Sequence, residues 1–216
     1  MTLGLVVGMA LAVSPARATL VAPASKAIEV RNVGSRNAVV DVRARSGSWL
    51  RIRPAHFALR AGARGVFTVR AGTGARPGDH ELLVLLLARP AGSSRIPVRV
   101  RLGVRLRVRT PGRLVRHVVV RGLHLRGRAG ARVLEITVAN AGNVTERLRG
   151  ATVTIARRGR NISRLRARAF RDVVPGARAL IELRYAGRAR GWVTALVAIR
   201  LGEMAQPVRH RYRLRL

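Results

Sequence analysis

A segment near the middle of the chain alternates between apolar and cationic residues. The apolar positions are Ile96, Val98, Val100, Leu102, Val104, Leu106 and Val108, and the cationic positions are Arg99, Arg101, Arg105, Arg107 and Arg109. This period of two predicts one long strand with a core-facing side and an outward ladder of guanidinium groups. Gly103 interrupts the arginine series and predicts a bulge or bend.

The end of the chain repeats this alternation, with arginine at positions 209, 211, 213 and 215. Two explanations of such ladders stay open. Charges on an edge strand prevent sheet-to-sheet aggregation, or the ladder is a paired edge or an anion-binding stripe.

Short β-prone runs fill the rest of the chain and are separated by Gly, Pro, Asn and Ser clusters. In the first half they are 39–44, 49–52, 65–69 and 82–88, and in the second half 133–138, 152–156, 180–185 and 192–201. The uniformly apolar run 82–88 predicts a central strand covered on both faces. Segment 164–170 is predicted to be a loop rather than a short helix.

Several landmarks occur twice in the same order. The segment 28–34 (Ile-Glu-Val-Arg-Asn-Val-Gly) recurs at 136–142 (Ile-Thr-Val-Ala-Asn-Ala-Gly), and Pro-Val-Arg closes both copies, at 97–99 and 207–209. The repeat length is close to one immunoglobulin-type sandwich of about 100 residues. The sequence therefore predicts an all-β protein of two tandem immunoglobulin-like β-sandwich domains, residues 19–110 and 111–216, with the boundary at Thr110-Pro111-Gly112.

Residues 1–18 have the form of a signal peptide. An apolar run from Leu3 to Val13 is followed by Ser14-Pro15 and the small-x-small sequence Ala16-Arg17-Ala18. The run is too short to span a bilayer, and the alternative is a buried N-terminal strand. We expect an exported protein that is extracellular, cell-wall-associated or periplasmic, without a transmembrane anchor.

The charge balance points to anionic partners. The 216 residues include 43 Lys or Arg against 9 Asp or Glu, a formal charge of +34, and Lys26 is the only lysine. A GC-rich coding sequence would favour Arg over Lys, but it does not account for the shortage of acids. Such a field favours anionic wall polymer, nucleic acid or lipid head groups. Aromatic residues make up only 3% of the chain, so specific nucleic-acid binding by base stacking is not expected.

The chemistry of an enzyme is missing from the sequence. The chain has no cysteine and no Gly-x-Ser-x-Gly elbow, and its five histidines show no metal-ligand spacing. We therefore predict a non-enzymatic protein without metal or cofactor. Asp79 and Glu81 follow Pro77-Gly78, which predicts an exposed turn rather than two carboxylates on one strand face.

Three features together resemble exported bacterial Ig-like surface modules. They are the Asn-x-Gly after a strand, the approach 57–62 to strand Thr68-Val69, and Pro77-Gly78 before Leu82. The order of parts, with the strand 101–110 ending in Pro111-Gly112, is similar to the WxL-interacting proteins of Gram-positive bacteria. This resemblance implies an envelope protein that binds peptidoglycan or anionic cell-wall polymer and a surface-protein partner, in adhesion or scaffolding.

The two-sandwich plan also resembles pilus chaperones, whose long last strand of the first domain donates alternating apolar residues to a subunit. Segment 96–108 is similar to that strand. The alternative function is therefore a chaperone that donates an edge strand to a pilus or surface protein, and a second alternative is a non-specific polyanion binder. The predicted binding residues are Arg99, Arg101, Arg105, Arg107, Arg109, Val98, Val100 and Leu102.

Overall fold

The computed structural model describes residues 8–92, 98–127, 132–187, 189–202 and 206–216, without the side chains of Ala169 and Phe170. All of the elements in this part of the chain are strands. They divide into two compact units after Arg113, close to the boundary expected at Thr110-Pro111. No helix long and apolar enough to cross a membrane occurs among the described residues.

The first unit is a sandwich of two sheets. Its strands are β1 Leu11–Ser14, β2 Arg17–Val21, β3 Ala24–Asn32, β4 Ala38–Ala44, β5 Leu50–Arg53, β6 His56–Leu59, β7 Arg64–Ala71, β8 Gly78–Pro90 and β9 Val100–Thr110. One sheet has the order β1-β3-β7-β5 and the other β2-β9-β8-β4-β6. Between them lies a core whose largest fully buried side chains are Phe67, Ile28, Leu86 and Leu106.

The second unit repeats the plan with seven strands in its described residues. They are β10 Val118–Arg126, β11 Arg132–Asn140, β12 Glu146–Arg157, β13 Arg160–Val173, β14 Arg178–Tyr185, β15 Trp192–Leu201 and β16 Val208–Arg215. The sheets have the orders β10-β11-β14 and β13-β12-β15-β16. The loop predicted at 164–170 is wrong, because β13 continues through it, with Leu165 and Ala167 packed against the core and Arg164, Arg166 and Arg168 exposed.

The repeated asparagine occupies the same place in both units. The Asn32 side-chain amide donates to the carbonyl oxygens of Leu59, Arg60 and Arg36, and its Oδ1 accepts from the Gly34 N–H. The hydrogen bonds of Asn140 are similar. Its amide donates to the carbonyl oxygens of Val144 and Val173, and its Oδ1 accepts from the Gly142 N–H. These bonds are typical of an asparagine that holds a turn at the end of a strand.

The repeated glycine is explained by a close backbone approach. A Cβ added to Gly34 would lie 2.7 Å from the Ala10 nitrogen, and one added to Gly142 would clash with the backbone of Val115 and His117. In both units the glycine N–H also donates to that neighbouring segment, to Ala10 O and His117 O respectively. The Asn-x-Gly repeat is therefore a structural feature. In each unit its hydrogen bonds connect the turn after a strand to the first segment of that sandwich.

Part of the predicted signal peptide lies in the first sandwich. β1 pairs with β3, and β2 pairs in parallel with β9, so the chain passes from one sheet to the other at Pro15 and Ala16. Ala18 and Leu20 are buried in the core. This is the arrangement of the alternative, a buried N-terminal strand, and cleavage after Ala18 would remove β1 and the start of β2. Processing of residues 1–18 stays a prediction.

Candidate functional site

Strand β9 is paired unevenly along its length. On one side β8 pairs with it from Thr110 to Val100. On the other side β2 pairs only with residues 105–109. Residues 100–104 therefore have no strand on that second side among the described residues, and we call this side of residues 100–104 the open edge. It exists because β2 begins at Arg17, directly after the chain changes sheets.

Hydrogen bonds to the N-terminal segment show which main-chain groups point toward the open edge. The Arg105 N–H donates to Ala16 O at 3.0 Å, and Arg109 O accepts from the Ala22 N–H at 2.8 Å. Alternate residues of a strand direct their N–H and C=O groups to the same side. The N–H and C=O groups of Arg101 and Gly103 thus face the open edge, where another strand could form hydrogen bonds with them.

The predicted apolar residues lie on the core-facing side of this segment. Val104, Leu106 and Val108 are fully buried. Leu102 and Val100 are half-buried, and Val98, just before the strand, is 43% exposed. The apolar face therefore emerges progressively from the sandwich toward the N-terminal end of β9. Ile96, predicted to belong to the same face, lies outside the described residues.

The predicted arginine ladder is not one uniform stripe. Arg99, Arg101 and Arg105 are exposed. Arg109 is half-buried and binds both carboxylate oxygens of Asp79, at 2.6 and 2.9 Å.

Arg107 forms an ion pair with Glu81. The exposed turn expected for Asp79 and Glu81 is therefore wrong, because both lie on β8, directly opposite these arginines. The Asp79 side chain is fully buried, and a buried carboxylate needs such a cation to compensate its lost hydration. The C-terminal half of the ladder therefore stabilises the pairing of β8 with β9. The sequence signal for this pairing was that the two acids and the two arginines are each spaced two residues apart.

The bulge expected at Gly103 and the two covered faces expected for the run 82–88 are both wrong. Gly103 lies opposite Leu85 without a shift of register, so it is not a bulge; a Cβ there would lie 2.9 Å from Leu83 Cδ1. Strand β8 is central, yet only one of its faces is covered in the described structure. Leu83 is 50% exposed and Leu85 is 40% exposed, which places apolar surface beside the open edge.

Among the described residues, no group of three His, Cys, Asp or Glu residues could hold a metal ion. On the five-stranded sheet, the hydrogen bond from His56 Nδ1, at 2.8 Å, lowers the pKa of Asp41. Asp41 lies on β4, across from β6, and is part of the strand pairing there.

Solved structures of fimbrial chaperones have the same fold. The class 5 fimbriae chaperone CfaA matches with a TM-score of 0.57 at 12% identity, over 94% of this chain and 98% of that one. A chaperone–tip adhesin complex of CFA/I fimbriae biogenesis gives 0.59 at 13% identity, with 94% and 98% covered. The CsuC–CsuE chaperone–tip adhesion subunit pre-assembly complex of Acinetobacter baumannii gives 0.50 at 12%, with 94% and 97% covered.

These likenesses establish the fold. The prediction of two immunoglobulin-like β-sandwich domains is confirmed, and so is the architectural similarity to pilus chaperones. These neighbours are chaperones, not enzymes. No protein-family model and no curated protein matches the sequence. The similarity to WxL-interacting proteins stays a prediction that none of these comparisons supports.

Proposed function

We propose that this chain is an exported chaperone-like protein that completes a partner's sheet with the open edge of β9. The observation that carries this proposal is the coincidence of two features at residues 100–104. The main-chain groups of Arg101 and Gly103 face an unpaired edge, and the apolar side chains of Val100 and Leu102 emerge from the core at the same place. The partner class is a pilus or surface subunit, as for the fimbrial chaperones with the same fold.

The mechanism follows from the physics of strand addition. Main-chain hydrogen bonds supply affinity, and alternate side chains entering pockets supply specificity. Val98, Val100 and Leu102 would enter the partner's incomplete core. A large aliphatic side chain that becomes fully buried contributes roughly 1.5–3 kcal/mol. Arg99 and Arg101, both exposed, would lie at the rim, where charges mainly affect the rate and orientation of encounter.

Binding of anionic cell-wall polymer or peptidoglycan stays a prediction without support from the comparisons. This prediction required all five arginines of the ladder to be available to the polymer. Because Arg107 and Arg109 are paired with Glu81 and Asp79, only the N-terminal half of the ladder is left for an anionic polymer. We therefore place the chaperone-like function first.

A matched pair of substitutions at Arg101 tests the proposal. Arg101→Ala and Arg101→Pro remove the same charge, but only proline removes the main-chain N–H that faces the open edge. We expect the alanine variant to retain the complex and the proline variant to lose it, with little difference in the stability of the free protein. Complexes would be isolated from the envelope fraction of the source cells and quantified by size-exclusion chromatography. Equal complex formation by both variants would contradict the mechanism.

Position-specific photo-crosslinking identifies the contact. A photoreactive phenylalanine analogue at Val100 or Leu102 should crosslink stoichiometrically to a β-domain protein. The same analogue at Val66, which is 52% exposed on the other sheet of the first unit, is the control. If the Val66 position crosslinks as strongly, the edge is not the binding surface.

A further inference from the structure

The second unit has a basic concavity that the proposed function does not use. It lies on the outward face of the four-stranded sheet β13-β12-β15-β16 and has a volume of about 720 Å³. We call it the arginine trough. The arginines that line it are Arg164, Arg166, Arg168, Arg200 and Arg209.

The trough follows from the strand order. Arg164, Arg166 and Arg168 lie on the edge strand β13, and Arg209 lies on the opposite edge strand β16. Three strand spacings separate these two walls, which is about 14 Å between their backbones. Along β13 the arginines recur every second residue, so their spacing is about 6.6 Å.

The two central strands, β12 and β15, form the floor of the trough. Its small side chains are Thr152, Thr154 and Ala198, and Leu196 and Arg200 of β15 lie beside them. Thr152 lies directly opposite Arg166 on one side and opposite Ala198 on the other, and Ala198 lies opposite Arg209. In the next row Thr154 pairs with Arg164 and with Leu196. The guanidinium groups therefore stand above a floor whose small side chains leave room for an extended chain.

No acidic residue among those described lines this surface. All five trough arginines are exposed, and none of the described residues that line the trough is aromatic. The one aromatic residue of β15, Trp192, is already covered by the Arg213 guanidinium, 4.8 Å from the ring centre. Single-stranded nucleic acid needs free aromatic faces for its bases, so the trough suits an anion that does not stack.

We infer that the arginine trough binds an extended acidic polypeptide segment whose carboxylates alternate between the two walls. Successive side chains of an extended strand point in opposite directions, and same-side residues are about 6.6 Å apart, the spacing of the arginines on β13. The guanidinium fork also binds carboxylates with two parallel hydrogen bonds. This inference concerns the second unit and does not depend on strand donation by β9.

Two peptides of identical composition test the alternation. A peptide of six consecutive Glu followed by six Ser presents carboxylates to both sides of an extended chain, about 6.6 Å apart on each side, whereas six repeats of Glu-Ser present all of them to one side. Fluorescence anisotropy with the full chain near physiological salt, where the Debye length is about 8 Å, suppresses long-range charge effects. We expect the first peptide to bind at least about tenfold more tightly, since it engages a second wall of charge-assisted hydrogen bonds. Equal binding of the two, or equal binding of oligothymidylate of the same charge, would overturn the inference.

Charge-matched variants locate the site. Arg166→Gln with Arg209→Gln removes one arginine from each wall, and Arg178→Gln with Arg184→Gln removes two exposed arginines from β14 on the other sheet of the same unit. Only the first pair should weaken binding of the peptide with six consecutive Glu. Ala198→Trp should also abolish binding by filling the floor at constant charge, while Ala198→Ser should not. Arg101→Pro should leave peptide binding unchanged, so this test can fail independently of the proposed function. If the two double variants lose affinity equally, binding reflects net charge alone and the inference is wrong.

Discussion

Removal of the Asn140 side chain should destabilise the second unit specifically. Asn140 is 2% exposed, and its amide donates to Val144 O at 2.7 Å and to Val173 O at 2.8 Å. Both of these residues are buried. Alanine at this position would leave the two carbonyl groups without a donor. The Gly142 N–H, which donates to Asn140 Oδ1, would keep its second acceptor, His117 O.

The expected cost follows from those two carbonyl groups. A buried polar group that loses its partner costs about 1–3 kcal/mol, so Asn140→Ala should lower the free energy of unfolding by about 3 kcal/mol. For a domain of this size, 1 kcal/mol corresponds to roughly 4–8 °C in Tm. Asn140→Asp should be worse than alanine, because a buried carboxylate would face two carbonyl oxygens without a donor.

Each unit contains one of the two tryptophans, Trp49 and Trp192, so unfolding can be followed separately. In a Trp49→Phe background, guanidinium chloride denaturation monitored by Trp192 fluorescence reports on the second unit. Asn161→Ala, at an exposed position on β13, is the control and should change stability by less than about 0.5 kcal/mol. An Asn140→Ala cost below about 1 kcal/mol, or an aspartate variant more stable than the alanine variant, would refute the reasoning.

Three further predictions concern the first unit. Phe67→Ala, at a fully buried position, should cost about 3–5 kcal/mol in the transition reported by Trp49 in a Trp192→Phe background; an unchanged midpoint would contradict the core assignment. Gly34→Ala should cost about 2–3 kcal/mol in the same assay, because the new Cβ meets backbone at Ala10, and a neutral result would show that this segment yields freely. His56→Ala removes the hydrogen bond that lowers the pKa of Asp41. Because the folded state favours the ionised carboxyl, this stabilisation is present above the ordinary value of 3.8 and is lost as the pH falls through the lowered pKa. The difference in unfolding midpoint between wild type and His56→Ala should therefore shrink in acid, and a constant difference across that range would exclude this linkage.

Features that depend on neighbouring residues along the chain were predictable from the sequence. The period of two along β9 and the turn residues between the runs identify strands locally. The repeated Asn-x-Gly revealed two similar sandwiches, since the same backbone geometry needs the same residue types in each. Segment 164–170 was misjudged because its arginines hide the alternation with Leu165 and Ala167, whose burial depends on packing against the core.

The candidate sites needed the tertiary structure. Val100 and Leu102 were identifiable as apolar positions of a long strand, but the open edge depends on where β2 stops pairing with β9, a contact between residues far apart in the chain. The ion pairs of Arg107 and Arg109 with the acids of β8 depend on the register between two strands. A shift of one residue would place all of those side chains on the opposite face.

The sequence by itself therefore determined the secondary structure type, the domain repeat and the excess of arginine, because composition and periodicity are properties of the chain. Only the tertiary structure decided which arginines are neutralised by carboxylates, which edge is left unpaired and which face gathers arginines from three strands into a trough. These properties arise from strand order and register, which depend on the packing of the whole sandwich rather than on any local run of residues.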